Sequence, residues 1–555
     1  MHRIARSLSY ARSTYDVIVV GSGYGGGVAA SRLSRAGKRV AVLERGREFQ
    51  PGDFPQRFPD LKNELQVRGR RIRTGPDTAL YDVRLGDDMH VLVGCGVGGG
   101  SLINAGVALR PDARVFDDPV WPDPIARDGT LDKGYARAAQ WLRPACDPRA
   151  SEMTKFQALA ASGRSTGQSP VAPQITVNFA GGVSAAGIAQ PACTRCGDCC
   201  GGCNVGAKTT VATTYLADAV RHGAQVFSHS HVRTVRKGQH GGWRVTVQQR
   251  DTTRGTGTAP GEFEMSAPMV ILAAGTLGST EILLRSRADG LTLSDRLGSR
   301  FSANGDIIAF GYGAREPVNA VGIGHPAKVT GLEIGAAVSG QIEFNDPDRL
   351  EHQLCVQEGV LPSSLAPALP LLFIPNGRLL GALQSLVNGV YNGPFARLQT
   401  FFAVSHDSAS GRFTLDDDRL VLSWPGAARE PVYARLDAAL GAIVDEAGGS
   451  YVRNPLAGTM MGQQPSTAHP LGGCGMGRDC ADGVVNHKGQ VFDATAGRGS
   501  AEVYNGLYVV DGAVVPRSLG VNPLLTITAL AERAMIHLAE DHDLAFDDQP
   551  LMVHA

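Results

Sequence analysis

Residues 15–20 (YDVIVV) run into 21–27 (GSGYGGG) and 28–33 (VAASRL), and 39–43 (RVAVL) then ends at Glu44. The two apolar, β-branched stretches have the pattern of buried strands. Val28–Ala36 reads as a helix with Ala29, Leu33 and Ala36 on one side. Strand, glycine turn, helix, strand and acidic residue follow in the order of a dinucleotide-binding unit. Gly21 permits the tight turn, Gly23 lets backbone approach a pyrophosphate, and Gly26 lets helix and strand pack closely. The helix N-terminus offers free N–H groups and positive potential to phosphates. Glu44 would accept hydrogen bonds from the adenosine ribose and repel a 2′-phosphate, which disfavours NADP. The motif alone does not separate NAD from FAD.

Outward from this unit, a second glycine cluster spans 94–100 (GCGVGGG) and leads to Asn104. It offers bare backbone to a flat ring, with a compact structural turn as the alternative. Met269–Ala274 is an apolar strand running into Gly275 and a helix, and Leu507–Val510 is a strand delivering Asp511 and Gly512 into a turn, as a flavin's ribityl chain would require. Residues 207–236 read as helix then strand, and 112–150 as helical and peripheral. From about 305 to 455 the pattern changes to alternating strands and apolar loops. The predicted fold is α/β. A doubly wound, Rossmann-like parallel-sheet domain for the dinucleotide is discontinuous over 15–125, 205–305 and 465–545. A mainly antiparallel substrate-binding domain takes 126–204 and 306–464.

Composition narrows the function. The 555 residues carry 53 Lys+Arg against 53 Asp+Glu, so no broad basic surface for nucleic acid is expected. Glycine accounts for 70 residues, about 13% against a usual ~7%, without a collagen period. Residues 1–14 lack the apolar core of a signal peptide and no 18-residue uncharged apolar run occurs, so a cytoplasmic enzyme is expected. Ten cysteines in such a chain read as reduced thiols or cofactor ligands rather than a disulfide frame.

The stretches at 21–33, 93–107 (VGCGVGGGSLINAGV), 271–284 (ILAAGTLGSTEILL), 466–477 (STAHPLGGCGMG) and 506–534 resemble the glucose–methanol–choline flavoprotein oxidoreductases. FSANGD (301–306), HPLGG (469–473) and the Asn522-Pro523 pair are most similar to the cholesterol oxidase branch. The resemblance implies bound FAD, with Gly94, Gly99, Ser101, Asn104, Val232, Asp511, Gly512 and Asn522 beside it, and a non-covalent flavin is expected because His90, near the second glycine cluster, reads as an ordinary strand histidine rather than a covalent link. It also implies oxidation of a CH–OH group by hydride transfer to flavin N5. The implied substrate is a bulky apolar secondary alcohol such as a 3-hydroxysteroid, with dioxygen as acceptor, in steroid or lipid metabolism.

His469 suits the proton exchange, because an imidazole titrates near neutrality. Pro470 and Pro523 push His469 and Asn522 toward extended backbone, which stiffens both. Asn522 also reads as an N-cap with Pro523 at the first helical position. Glu358 enters an apolar stretch (CVQEGVLP, 355–362), where desolvation would make it a usable base. In cholesterol oxidases a glutamate before a Leu-Pro pair looks similar and serves as base; the alternative is an ordinary loop carboxylate. Residues 361–394 hold one charge, Arg378, and five prolines. They read either as buried core or as an apolar lid that touches a membrane surface transiently to draw a sterol from it.

Five cysteines fall within 193–203 (CTRCGDCCGGC), and Cys193, Cys196, Cys199 and Cys203 fit the C-x2-C-x2-C-x3-C spacing of ferredoxin loops. Against a cluster, Asn204 stands where such loops have proline, and a similar cysteine stretch occurs in family members without one. Iron–sulfur ligation, zinc, plain thiols and a local disulfide all remain open. The rival functions are a dehydrogenase passing electrons through such a cluster to a cytochrome or quinone, and a flavin-bearing lyase or decarboxylase.

Overall fold

The computed structural model describes residues 2–70, 72–239, 241–249, 261–373, 389–453 and 464–551. A seven-stranded sheet runs in the order Ala5–Arg6, Gln225–Phe227, Val40–Leu43, Val17–Val20, Met269–Leu272, Val503–Val509, Gln490–Phe492. Neighbours are parallel except for the last pair. The three central strands, Val17–Val20, Val40–Leu43 and Met269–Leu272, are buried at every position. Covered faces on both sides are what unbroken apolar runs require. The direction of winding reverses beside Val17–Val20, with Val40–Leu43 on one side and Met269–Leu272 on the other, so a crevice opens beyond the carboxyl ends of these strands. Helices Tyr24–Arg35 and Gly275–Ala288 both begin at that edge.

The C-terminal helix Leu524–Asp541 packs along both Tyr24–Arg35 and Thr130–Leu142. Between them lies a fully buried Arg32–Glu532 ion pair of 2.5 Å, with the Tyr215 hydroxyl donating to Glu532 at 2.9 Å. Trp141 stacks on Tyr215, ring centroids 5.0 Å apart. Residues 112–150 are therefore not peripheral, as the sequence suggested. Leu131, Tyr135, Ala138, Trp141 and Leu142 form an apolar stripe that the C-terminal helix covers.

A second, five-stranded sheet is antiparallel throughout, in the order Gln341–Phe344, Leu354–Gly359, Gln399–Ser405, Ile307–Tyr312, Ser450–Val452. Its strand Leu354–Gly359 is buried at all six positions, so both faces are covered. A third sheet carries His90–Gly94, which leads into the second glycine cluster and pairs in parallel with Ser466–Thr467. That pairing places the His469 loop beside the glycines. Of residues 361–394, Leu361, Pro362, Ser364 and Leu365 face the crevice, whereas Ala366, Leu369 and Phe373 pack in an apolar cluster with Phe310 and Phe395. Within that stretch 374–388 lie outside the described residues, and Val390 and Tyr391 return to the same apolar cluster. Among the described residues no helix is long and apolar enough to cross a membrane.

Candidate active site

The crevice is a cavity of about 590 Å³, within the roughly 300–1,000 Å³ of small-molecule sites. Its nucleotide side is built from backbone. Gly21 has φ +95°, and a Cβ there would stand 2.2 Å from the Ala273 carbonyl oxygen, so only glycine fits between the two strand ends. Gly99, at φ +56°, lies so close to the first turn that a Cβ would stand 2.8 Å from Gly23 Cα. The two glycine clusters, more than seventy residues apart, are thus one surface. Gly26 backs it by packing on the Gly21 carbonyl.

Glu44 is 7% exposed and lines the cavity. Its carboxylate accepts from Ser22 Oγ at 2.6 Å, Ser22 N at 3.2 Å and Gly46 N at 2.8 Å. Of about four lone-pair positions on a carboxylate, one is left for a ribose hydroxyl. Gly94, Val232 and Gly512 also line the cavity. Ser101 does not. Its hydroxyl donates to the Gly98 carbonyl at 2.6 Å and accepts from Val211 N at 3.1 Å, so it shapes the turn from behind rather than meeting a ligand.

The residues present fit a flavin dinucleotide. The glycine surface is a cradle that any side chain would fill. Asn104, in the wall, donates from Nδ2 to the Tyr24 hydroxyl at 2.8 Å, while its Oδ1 is buried with no partner. A buried orphan acceptor of this kind needs a donor from a ligand. Asp511 accepts from Gly275 N (2.8 Å), Ser279 Oγ (2.5 Å) and Ala513 N (2.8 Å). None of these is a cation, and burial pushes its carboxyl up to about 6.

On the opposite wall, His469 and Asn522 meet, with Nε2 of the histidine 3.4 Å from Nδ2 of the amide. They are joined by the 301–306 loop. Asn304 donates to the Val521 carbonyl at 2.8 Å and accepts from Leu519 N at 2.8 Å and Gly520 N at 3.2 Å, which fixes the Asn522 segment. Asp306 accepts from Ala468 N at 2.7 Å and Thr467 Oγ1 at 3.2 Å, and its Oδ2 lies 3.2 Å from His469 Nδ1. Gln357 donates to Asn522 Oδ1 at 2.6 Å, so the amide turns its Nδ2 to the histidine. The N-cap reading of Asn522 is corrected. The helix begins at Leu524 and no side chain caps it, because the Asn522 amide is spent on Gln357 and His469.

This geometry agrees with the comparisons. Residues 15–302 match the N-terminal and 449–531 the C-terminal family model of the GMC oxidoreductases. The chain belongs to the GMC oxidoreductase family. It is 28% identical to a cholesterol oxidase of Acinetobacter baumannii, covering 96% of this chain and 95% of that one. It is 27% identical to a cholesterol oxidase of Mycobacterium tuberculosis (strain ATCC 25618 / H37Rv), covering 94% and 90%. A long-chain-alcohol oxidase of Arabidopsis thaliana is 22% identical over 93% of this chain and 66% of its own. The fold matches the crystal structure of pyridoxine 4-oxidase from Mesorbium loti, with a TM-score of 0.61 at 19% identity, covering 95% of this chain and 99% of that one. GMC oxidoreductases bind FAD, and this one is an FAD-dependent oxidoreductase acting on CH–OH donors.

Within this GMC oxidoreductase the third expected catalytic residue, Glu358, is not brought to the cavity. It points to the opposite face of strand Leu354–Gly359 from Gln357. There it is held by Lys155 Nζ at 2.6 and 2.7 Å, Ser339 N at 2.6 Å and Gly340 N at 2.7 Å, with both charged side chains buried. Strand parity decides the matter, since neighbouring residues face opposite sides. Gln357 and Asp306 are the residues that sequence reasoning missed. Asp306 ends the FSANGD stretch, and Gln357 is one step from the carboxylate that drew attention. All ten cysteines are free, so the local disulfide is not formed. Among the described residues no three cysteine sulfurs lie within 4.8 Å of one another. A zinc tetrahedron with bonds of about 2.3 Å would need sulfurs closer than that.

Proposed function

We propose that this GMC oxidoreductase oxidises a bulky apolar secondary alcohol, a 3-hydroxysteroid such as cholesterol, to the ketone, with dioxygen taking the electrons to give hydrogen peroxide. The observation that carries the reading is the meeting of His469 and Asn522 in the wall of a cavity whose facing wall is a glycine cradle. FAD, when bound there, supplies a two-electron acceptor for the carbinol hydrogen.

The protein's own groups supply the rest. Because the Asn522 Nδ2 group can only donate, His469 Nε2 carries the lone pair toward it, and the Asp306 carboxylate lies 3.2 Å from the ring's other nitrogen. A substrate hydroxyl seated against both side chains displaces their direct contact, donating to His469 Nε2 and accepting from Asn522 Nδ2. His469 takes the hydroxyl proton as the carbon–hydrogen bond breaks, and the Asp306 carboxylate stabilises the resulting imidazolium. Gln357 holds the Asn522 amide in the donating orientation. Around them Ile308, Val360, Leu361, Leu365 and Phe402 form an apolar wall suited to a greasy ring system. The cholesterol oxidases and the long-chain-alcohol oxidase among the relatives support an apolar alcohol of this kind.

The test is anaerobic titration of the yellow holoenzyme with cholesterol and with a short water-soluble alcohol, followed by oxygen. Rapid bleaching by the sterol at lower concentration than by the short alcohol, then one peroxide per ketone, is expected. Bleaching by linear alcohols alone would overturn the steroid assignment, and no bleaching by any alcohol would overturn the oxidation itself.

A further inference from the structure

On the sheet face that carries Gln357, the polar contacts run on past that residue. Gln341 stands directly opposite Gln357 on the neighbouring strand Gln341–Phe344, and Glu343 stands opposite Cys355. Strand parity puts all four side chains on one face. Gln341 Nε2 donates to Glu343 Oε1 at 2.6 Å, which leaves Gln341 Oε1 as the end facing Gln357 Nε2, 3.5 Å away. Cys355 lies in the same gap. Gln357 Nε2 donates to its sulfur at 3.5 Å, and the thiol points at Gln341 Oε1 across 4.0 Å. Both routes between the two glutamines thus run in the same direction. Gln357 Nε2 also donates to Asn522 Oδ1 at 2.6 Å, and Asn522 Nδ2 faces His469 Nε2 at 3.4 Å.

The far end of this row decides its direction. The two ends of a carboxamide have nearly the same shape, so partners alone determine which side presents nitrogen and which presents oxygen. Gln341, Cys355, Gln357 and Asn522 are all buried, away from water that would serve either orientation. Glu343, by contrast, is exposed, and an ionised carboxylate only accepts. Gln341 must therefore turn its nitrogen to Glu343 and its oxygen to Gln357. Gln357 then turns its nitrogen to both Gln341 and Asn522. Asn522 in turn gives its oxygen to Gln357, and its nitrogen is left for the histidine side.

We propose that Glu343 and Gln341 are positioning residues for the oxidation: the surface carboxylate sets the polarity of the amide row Gln341–Gln357–Asn522 and so keeps Asn522 Nδ2 as the donor that meets the substrate hydroxyl beside His469. Neither Gln341 nor Glu343 lines the cavity, so their effect passes through Gln357. A donor in place of the carboxylate would reverse each amide in turn and present Asn522 Oδ1, which cannot donate to a hydroxyl oxygen. This inference rests on the reading of His469 and Asn522 as the pair that holds the substrate hydroxyl.

The experiment measures anaerobic flavin bleaching of the full FAD-loaded chain, with saturating cholesterol and with dodecanol as probes, beside FAD content and thermal midpoint. Glu343→Lys puts a donor where the acceptor stood, at an exposed position. Bleaching about fivefold slower is expected, the scale of one misdirected hydrogen bond, with FAD content and midpoint near wild type. Glu343→Ala removes the acceptor without reversing the row and should slow bleaching about twofold. Adding Gln341→Glu to Glu343→Lys should restore the rate, because the new carboxylate accepts from the introduced ammonium and from Gln357 Nε2 alike. In a chain carrying Gln357→Leu the row is already cut, and Glu343→Lys should slow it no further. Unchanged bleaching in both Glu343 variants overturns the row. So does a slowing that persists beside Gln357→Leu or that Gln341→Glu does not relieve, since either marks a through-space effect of charge. Loss of FAD or of thermal midpoint in both variants would make Glu343 a structural residue and overturn the row as well. His469→Ala bleaching at the wild-type rate, or a wild-type chain that neither probe bleaches, sinks the reading of the site itself and this inference with it.

Discussion

The two walls of the cavity are made in different ways. The nucleotide wall comes from the ends of parallel strands and from two glycine stretches, 21–27 and 94–100, whose glycine backbone forms its surface. The alcohol wall is made of side chains from separate segments, Asp306, His469 and Asn522, with Gln357 bracing Asn522 from behind, and no two of these four lie within fifty residues in sequence. The first wall is a contiguous motif. The second depends on strand parity and on one clip, the 301–306 loop, that ties the His469 and Asn522 segments together. Backbone walls fail as a whole when a side chain intrudes, whereas side-chain walls fail one group at a time.

The sharpest test of that contrast is Gly21→Ala. The added methyl would sit 2.2 Å from the Ala273 carbonyl, at a φ of +95° that alanine resists. Soluble chain with a 450 nm flavin band is expected to vanish almost entirely, and normal FAD loading would mean that the first wall is more plastic than its contacts imply. On the other wall, His469→Ala should leave FAD content and thermal midpoint near wild type while the rate of anaerobic flavin bleaching by alcohol drops about 10³-fold, the scale of losing a positioned proton acceptor. Loss of FAD in that variant would blur the separation between the walls.

How far the sequence carried the argument follows the same division. The βαβ unit, the strand at Met269–Leu272 and the Asp511 turn were readable because buried parallel strands need unbroken apolar runs and tight turns need glycine. The edge strand Ala5–Arg6 was not, since two residues carry no periodicity. His469 and Asn522 were readable through their prolines and the family resemblance. Gln357 was not, because Leu354–Gly359 is buried on both faces and so lacks the alternation that reveals which residue looks inward. The carboxylate next door, Glu358, was chemically more conspicuous and pointed the wrong way.

That adjacent pair gives the next discrimination. Gln357→Leu frees the Asn522 amide to rotate, and a roughly tenfold slower bleaching with little loss of stability is expected. Glu358→Gln strands the buried Lys155 charge, so it should cost about 3 kcal/mol in denaturant unfolding while the bleaching rate of the surviving folded enzyme changes less than in Gln357→Leu. The reverse pattern, a large catalytic loss at 358 and none at 357, would return the base role to the glutamate and break the parity argument.

The smallest effect sets the two buried carboxylates against each other. Glu358 has a lysine beside it, whereas among the described residues Asp511 is held by two backbone N–H groups and a serine hydroxyl. Burial without a cation raises the Asp511 carboxyl to about 6, above the value near 4 of an unfolded chain. Between those two values the folded chain holds a proton there that the unfolded chain has released, so stability falls as pH rises through the window and levels off beyond it. FAD-free protein should therefore lose thermal midpoint from pH 4 to pH 6 relative to Asp511→Asn, which has no proton to release. Many other carboxylates titrate in the same range, and the difference between the two proteins cancels them. If the two midpoints keep a constant gap across the window, Asp511 is already ionised in the fold, and its three donors alone balance a charge that at Glu358 takes a lysine to hold.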